Sequence, residues 1–158
     1  MKKSVSPISA QDALPKILRY CAYQERSHQE VKNKLFGFGL RSAQVNELLA
    51  QLITDGFLNE ERYAKAFAGG KFRMMKWGRL KIERQLKLAG LTSRCISLGL
   101  AEIGPSDYTR TMNTLIKKKW EESTGKNIFK RKNKVAQFLM GKGYEPDLIW
   151  EALNELVA

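Results

Sequence analysis

One frame of apolar residues and glycine is written three times along this chain, with no gap inside any copy. Val31, Leu35, Gly39, Leu40, Val45, Leu49 and Leu52 recur as Ile82, Leu86, Gly90, Leu91, Ile96, Leu100 and Ile103. They recur again as Val135, Leu139, Gly143, Tyr144, Ile149, Leu153 and Leu156, at offsets of 51 and then 53 residues. Val31 and Leu35 are one helical turn apart and face the same way. Gly39 suits a helix C-terminus, where a left-handed residue is needed. Val45, Leu49 and Leu52 then share one face of a second helix. A fainter upstream match pairs Leu14, Ile17 and Leu18 with Tyr63, Ala66 and Phe67, and then with Met112, Leu115 and Ile116.

Each unit therefore reads as three helices. The expected spans are 12–24, 28–38, 42–54, 59–75, 79–89, 93–103, 107–120, 130–141 and 145–157. Ser27 and Glu30 form a capping box in "SHQE", and Ser42, Asn59, Thr92 or Ser93, and Ser106 are candidate N-caps. Pro15 and Pro146 suit first turns, where the missing N–H is no loss. No alternating β-branched segment exists, so no sheet is expected. The fold class is all-α, with three tandem three-helix repeats in an elongated, curved arrangement. A flexible N-terminus occupies 1–11, and the repeats occupy 12–54, 55–104 and 105–158. Small stacked units sharing a core produce such a body; a compact bundle is the competing architecture.

Composition excludes several function classes. No apolar run approaches a membrane span, and "MKKSVSPISAQD" lacks the apolar stretch of a secretory signal. The expected location is the cytoplasm. Two cysteines and one histidine cannot build a zinc site, so Cys21 and Cys95 read as reduced core residues and no metal or cofactor is expected. There is no GxxxxGK[ST] loop and no GxGxxG after a strand. Glu60–Glu61 and Glu121–Glu122 are adjacent on helices and point about 100° apart, which suits dipole-compensating acids better than a general acid and base. An enzyme is the class least supported.

The net charge of +12 is uneven. Residues 65–100 hold nine basic residues against Glu83 alone, and residues 110–142 hold ten against two acids. Such blocks point to an anionic partner or to a solvated helix face. Lys71, Arg73, Lys76 and Arg79 precede Lys81, Arg84 and Lys87, which form a stripe opposite Ile82 and Leu86. The third unit supplies Lys117, Lys118, Lys119, Lys130, Arg131, Lys132 and Lys134. Phe72, Trp77, Trp120 and Phe129 interleave with them, either stacking on bases or, the favoured reading, packing at joints between units. Trp150 reads as core. Of Met74 and Met75, at least one is expected to be buried.

Three stretches resemble the RecX family, regulators of the bacterial recombinase RecA. "QERSHQEVKNKL" carries Arg26, Ser27, Glu30, Val31, Lys34 and Leu35 of the family's opening pattern. "GFLNEERYAKAFA" is similar to its aromatic-Leu-acidic signature through Phe57, Leu58, Asn59, Glu60, Glu61, Arg62, Tyr63 and Ala64. "KWGRLKIERQLKLAGL" matches its glycine block through Gly78, Lys81, Ile82, Leu86 and Gly90. Arg79 stands where many members have proline, Lys71 where several have arginine, and the third repeat matches only at its apolar frame and Gly143. The resemblance implies a non-enzymatic, nine-helix regulator lying in the groove of a RecA–DNA filament. There it would lower ATP turnover and strand exchange, by limiting growth or promoting disassembly, in DNA repair, recombination and the SOS response. The expected partner is the RecA filament, with single- or double-stranded DNA as a second candidate, and the expected state is a monomer. The second stretch also has a structural reading: Asn59 caps a helix, Tyr63 and Phe67 pack inward, and the motif joins the first unit to the second. The rival function is a basic helical module that binds nucleic acid directly.

Overall fold

The glycine stops fall where the repeat puts them. Gly39, Gly90 and Gly143 each take a left-handed conformation, with φ of 86°, 85° and 100°, just beyond the first helix of the frame. A computed structural model describes residues 8–158. Among these residues there are nine helices and no strand. The helices are α1 (Ala10–Tyr23), α2 (His28–Gly37), α3 (Ser42–Thr54), α4 (Glu60–Met75), α5 (Arg79–Leu88), α6 (Ser93–Leu100), α7 (Pro105–Glu122), α8 (Ile128–Lys142) and α9 (Pro146–Leu156). Residues 1–7 of the N-terminal segment expected to be flexible lie outside the described residues.

Capping chemistry explains where the ends fall. Ser27 and Glu30 close the expected box, and Asn59 and Thr92 cap α4 and α6. Helix α1 starts two residues early because Ser9 accepts from the Asp12 amide. Pro15 therefore sits inside the helix instead of in its first turn. Ser42 and Ser106 are not caps. Arg41 takes the first of those positions, with its amide bonded to Gln44 at 3.0 Å, and Gly104 takes the second, ahead of Pro105. Both prolines at first-turn positions, Pro105 and Pro146, open their helices.

The repeat frame is buried almost throughout, from Val31, Ile82 and Val135 to Leu52 and Ile103. Leu156, at the end of the last helix, is exposed. One core through all units was expected, but there are two. Ala13, Ile17, Val31, Leu35, Val45 and Leu52 form the first unit's own core, completed by Leu58 from beyond α3. Units two and three share the other, in which Ala64, Phe72, Ile82 and Leu86 meet Tyr108, Met112, Leu139, Tyr144 and Ile149. Two separate cores fit tandem units and not a single compact bundle.

The upstream match catches only the edge of the buried face of α4: Ala64, Ala68 and Phe72 are buried, Tyr63 and Phe67 are half-buried against the same core, and Ala66 is exposed. Helix α6 sets that choice. A Cβ on Gly99 would stand 2.7 Å from the Ala64 carbonyl oxygen, so the two backbones approach as closely as small residues permit. Cys21 and Cys95 are free and half-buried at the edges of the cores, less enclosed than core residues. Trp150 is likewise half-buried.

Candidate interaction surface

The family-like motifs build joints. Arg26 stacks on Tyr20, with its guanidinium carbon 3.7 Å from the ring centroid, donates to the Tyr20 carbonyl and faces Glu30 at 3.7 Å. That clamps the turn between α1 and α2. Arg62, in the first turn of α4, donates to Glu25 at 2.6 Å and to the Gly56 carbonyl at 3.1 Å. Beside it, His28 Nδ1 lies 2.7 Å from Glu60 Oε1. Burial pushes the Glu60 carboxyl above its usual range, against the lowering pull of His28 and Lys32. With Leu58 seated in the first core, these polar pairs connect unit one to unit two. Glu61 pairs with Lys65 along α4, Leu35 and Leu86 are core, and Phe57 stays exposed.

The joint between units two and three is made of backbone. The Gly78 amide donates to the Lys142 carbonyl at 2.8 Å, and the Leu80 amide donates to the Gly143 carbonyl at 2.9 Å. A Cβ on Gly78 would fall on the carbonyl of Gly143, and one on Gly143 would stand 2.6 Å from the Lys81 amide nitrogen. Side chains reinforce the seam. Arg79 stacks on Tyr108 and donates to Glu145 at 2.8 Å, while the Tyr108 hydroxyl donates to the other oxygen of Glu145. The Tyr144 hydroxyl donates to the Lys76 carbonyl at 2.8 Å. Burial, with Glu145 close by, raises the Tyr108 and Tyr144 hydroxyls far above the usual phenol range. Arg79 thus has a load in the fold that its place in a basic run did not announce.

The other basic candidates divide in the same way. Arg131 stacks on Trp120 at 3.9 Å and donates to Ser123 Oγ and to the Trp120 and Ser123 carbonyls, sealing the C-terminus of α7. Lys132 donates to Asn154, Lys76 folds back on the Arg73 carbonyl, and Lys87 pairs with Glu83 at 3.0 Å. Arg73 arches back over Gly69. Arg84, Lys117, Lys118, Lys130 and Lys134 are exposed and make no ion pair among the described residues.

Two lysine–aromatic clusters flank the glycine seam. Lys71 and Lys81 lie 5.0 and 4.4 Å from the Trp77 ring centroid. On the other side, Lys119 and Lys142 lie 4.1 and 6.0 Å from that of Phe138. Lys142 also donates to the Met75 carbonyl, which draws the clusters together across the seam. The basic stripe expected on α5 is therefore partly committed: Lys81 holds its stem on Gly143 and its ammonium over Trp77. Phe72 is core, Trp77 and Trp120 are half-buried under cations, and Phe129 is exposed, outside the packing role expected of it. Sequence reasoning missed Phe138 and Lys142. In the sequence Lys142 is only one of the ten cations of residues 110–142, and its one distinguishing mark is its place beside Gly143. Met74 and Met75 are both exposed, so neither takes the buried position expected of one of them.

Among the described residues, no helix is long and apolar enough to cross a membrane. No cluster of three potential metal ligands occurs among them either.

Two family models match: "RecX, second three-helix domain" over residues 59–100 and "RecX, third three-helix domain" over 107–153. Curated relatives include a protein called Regulatory protein RecX from Bacillus mycoides (strain KBAB4), 27% identical over 146 residues. Another is a protein of the same name from Bacillus thuringiensis (strain Al Hakam), at 26%. Each alignment takes in 92% of this chain and 54% of the relative, so the chain spans about half the length of the curated relatives it matches. Among solved structures, RecX from Lactobacillus salivarius superposes with a TM-score of 0.83 at 22% identity, covering 93% of this chain and 96% of that one. A second structure, titled regulatory protein RecX, gives 0.82 at 20% identity, with 92% and 71% covered. These two likenesses establish the fold. The two domain models, which together take in more than half of the residues, establish the kinship: the chain belongs to the RecX family.

Proposed function

We propose that this protein is a non-enzymatic regulator that binds the RecA–DNA filament in the cytoplasm and inhibits its ATPase and strand-exchange activities, by limiting filament growth or promoting disassembly. The observation that carries this reading is the three-unit body with a backbone-sealed joint between units two and three. A rigid pair of repeats presenting cations on both sides of its seam suits a partner that repeats at fixed intervals. Residues 12–54, 55–104 and 105–158 act as successive contact modules of a monomer. The working residues are Arg84, Lys117, Lys118, Lys130 and Lys134, which are exposed and make no ion pair, together with Lys71 and Lys81, which lie over Trp77 and stay partly exposed. The test is ATP hydrolysis by RecA on single-stranded DNA with increasing amounts of this protein. Hydrolysis is expected to fall at less than one copy per RecA protomer, and no inhibition at any ratio removes the proposal.

A second reading is favoured by one observation, the pairing of Lys71 and Lys81 with Trp77 and of Lys119 and Lys142 with Phe138. Cations beside aromatic rings are what a single-stranded nucleic acid needs, for its phosphates and bases respectively. Under that reading the protein binds DNA by itself and competes with RecA for it. Binding to an oligonucleotide without RecA, weakening steeply with salt, would favour it. So would inhibition seen only when the protein is abundant enough to coat the DNA.

A further inference from the structure

The left-handed glycine that closes the first helix of each frame leaves carbonyls there in need of donors, and the three copies meet that need differently. In the third unit the Lys142 and Gly143 carbonyls accept from the amides of Gly78 and Leu80, at 2.8 and 2.9 Å. In the first unit the Phe38 carbonyl, which holds the place of Lys142 in the frame, accepts from the Ile8 amide at 3.2 Å. Both Gly78 and Ile8 lie at the entry to a helix, α5 in one case and α1 in the other. In the second unit the equivalent carbonyls, those of Ala89 and Gly90, accept from nothing among the described residues. A Cβ on Gly90 would meet no atom within 4 Å, where one on Gly143 would strike Lys81. Two of three equivalent sockets are filled, and the one at the end of α5 is open.

The chain also holds one spare plug. Among the described residues only α5 and α7 begin on a glycine N-cap, and both glycines are extended, with φ and ψ of −78° and 168° at Gly78 and −63° and 135° at Gly104. The plug of α5 is seated in the seam. The matching amides of α7, on Gly104 and Ser106, donate to nothing among the described residues, and Pro105 between them has no amide to satisfy. We infer that the start of α7 in one copy of this protein docks on the end of α5 in another, with Gly104 donating to the Ala89 carbonyl and Ser106 to that of Gly90. The two ends cannot meet within one chain, because they stand at opposite ends of the eight-residue α6, which is about 12 Å long. Leu88 does not obstruct the socket, since a Cβ on Gly141, its counterpart beside the filled one, meets nothing within 4 Å. Charge agrees with the pairing. Beside the socket Arg94 is exposed and unpaired among the described residues, and Lys87 shares itself with Glu83; beside the plug Glu102 is exposed and unpaired, and Asp107 holds Arg110 at 3.2 Å on an exposed face. Plug and socket are different surfaces, so each copy engages two neighbours and the contact builds rows. A contact this small is weak and leaves dilute protein monomeric. Copies seated side by side on a repeating polymer meet at an effective concentration on the order of 1 mM, which suits it. Only that last step rests on the regulatory reading.

Gly104→Ser tests it. Within the chain a Cβ at this position meets only Asp107 Oδ2, at 3.6 Å, and the new hydroxyl caps α7 in the ordinary way, so the melting temperature should hold or rise. The same Cβ should block the plug, as one on Gly78 would strike the Gly143 carbonyl. Sedimentation velocity of the full chain, without RecA or DNA, is measured up to about 1 mM. The parent's average mass should rise with concentration, and Gly104→Ser should need roughly tenfold more protein or worse for the same rise. A parent that stays monomeric throughout overturns the proposal, and so does a folded Gly104→Ser that associates equally. Backbone amide spectra over the same series locate the contact: the signals of Ala89, Gly90, Gly104 and Ser106 should move in the parent and stay still in the variant. Movement confined to other residues overturns the assignment. So does movement at Ala89 and Gly90 that appears only when RecA is added, which gives the socket to that partner instead. In the RecA ATPase assay the parent's inhibition curve should be steeper than that of Gly104→Ser. A parent that associates but does not inhibit RecA defeats the regulatory reading and leaves the docking of copies standing.

Discussion

Gly78 and Gly143 have different sequence signals and one structural fate. Gly143 is legible from the repeat, because a helix stop at the third copy of the frame demands a left-handed residue. Gly78 carries no such signal: its φ of −78° is open to any residue, and in the sequence only the family-like glycine block marks it. What it cannot accept is volume, since any side chain would occupy the Gly143 carbonyl. Gly78→Ala should destabilise the protein by about 1–3 kcal/mol, the usual cost of forcing atoms into a filled space. Thermal unfolding should show the loss. Gly90→Ala, with nothing near its Cβ, should cost only the strain of the left-handed backbone, about 1–2 kcal/mol. A Gly78→Ala protein that melts with the parent would mean the seam is looser than described. The same logic explains why Arg79 was misplaced among surface cations. Its partners Tyr108 and Glu145 lie 29 and 66 residues away, beyond any local pattern.

At the level of helices, periodicity located every element, and capping residues decided most of the discrepancies in their ends. The register of α4 was the exception. It has apolar residues on two faces, and a period of 3.6 cannot say which face meets α6; the Gly99–Ala64 contact decides. Helix α5 shows the complementary case. Its buried face, Ile82 and Leu86, is as expected, and so is its outward stripe, but the stripe is not idle. Replacing Lys81, Arg84 and Lys87 with alanine removes the Lys81–Trp77 contact and the Glu83–Lys87 pair. Each is worth no more than about 1 kcal/mol at an exposed site, and alanine's helix propensity offsets part of it. The triple variant should keep its melting temperature within a few degrees and lose the proposed inhibition of RecA, chiefly through slower association at low salt. Undiminished inhibition would transfer the assignment to Lys117, Lys118, Lys130 and Lys134.

Across the whole molecule, the repeat foretold three like units but not their unequal coupling. The first unit closes its own core and meets the second through Leu58 and polar pairs, whereas the other two share one core and a backbone seam. Unfolding should accordingly proceed in two transitions. Leu58→Ala should lower the first and Ile82→Ala the second, each by about 2–5 kcal/mol, the range for emptying a buried aliphatic site. Differential scanning calorimetry of the two variants separates the cases, and a single transition shifted equally by both would mean that the cores act as one. No local pattern announces this asymmetry, because Gly78, Leu80 and Lys142 lie outside the frame and Gly143 holds a position that every copy fills with glycine.

The backbone seam also bears on how the chain carries force. Hydrogen bonds between Gly78, Leu80 and the end of α8 lie across the junction, so tension applied through α9 reaches α5 along peptide groups, with no long side chain in series to stretch. The first joint has the opposite character, since Arg62–Glu25 and His28–Glu60 are compliant springs. Held at both ends by a body that changes its pitch, such a chain should bend first at the joint made of side-chain pairs. Two residues without side chains make units two and three a stiff arm, and the ion pairs ahead of them make its elbow.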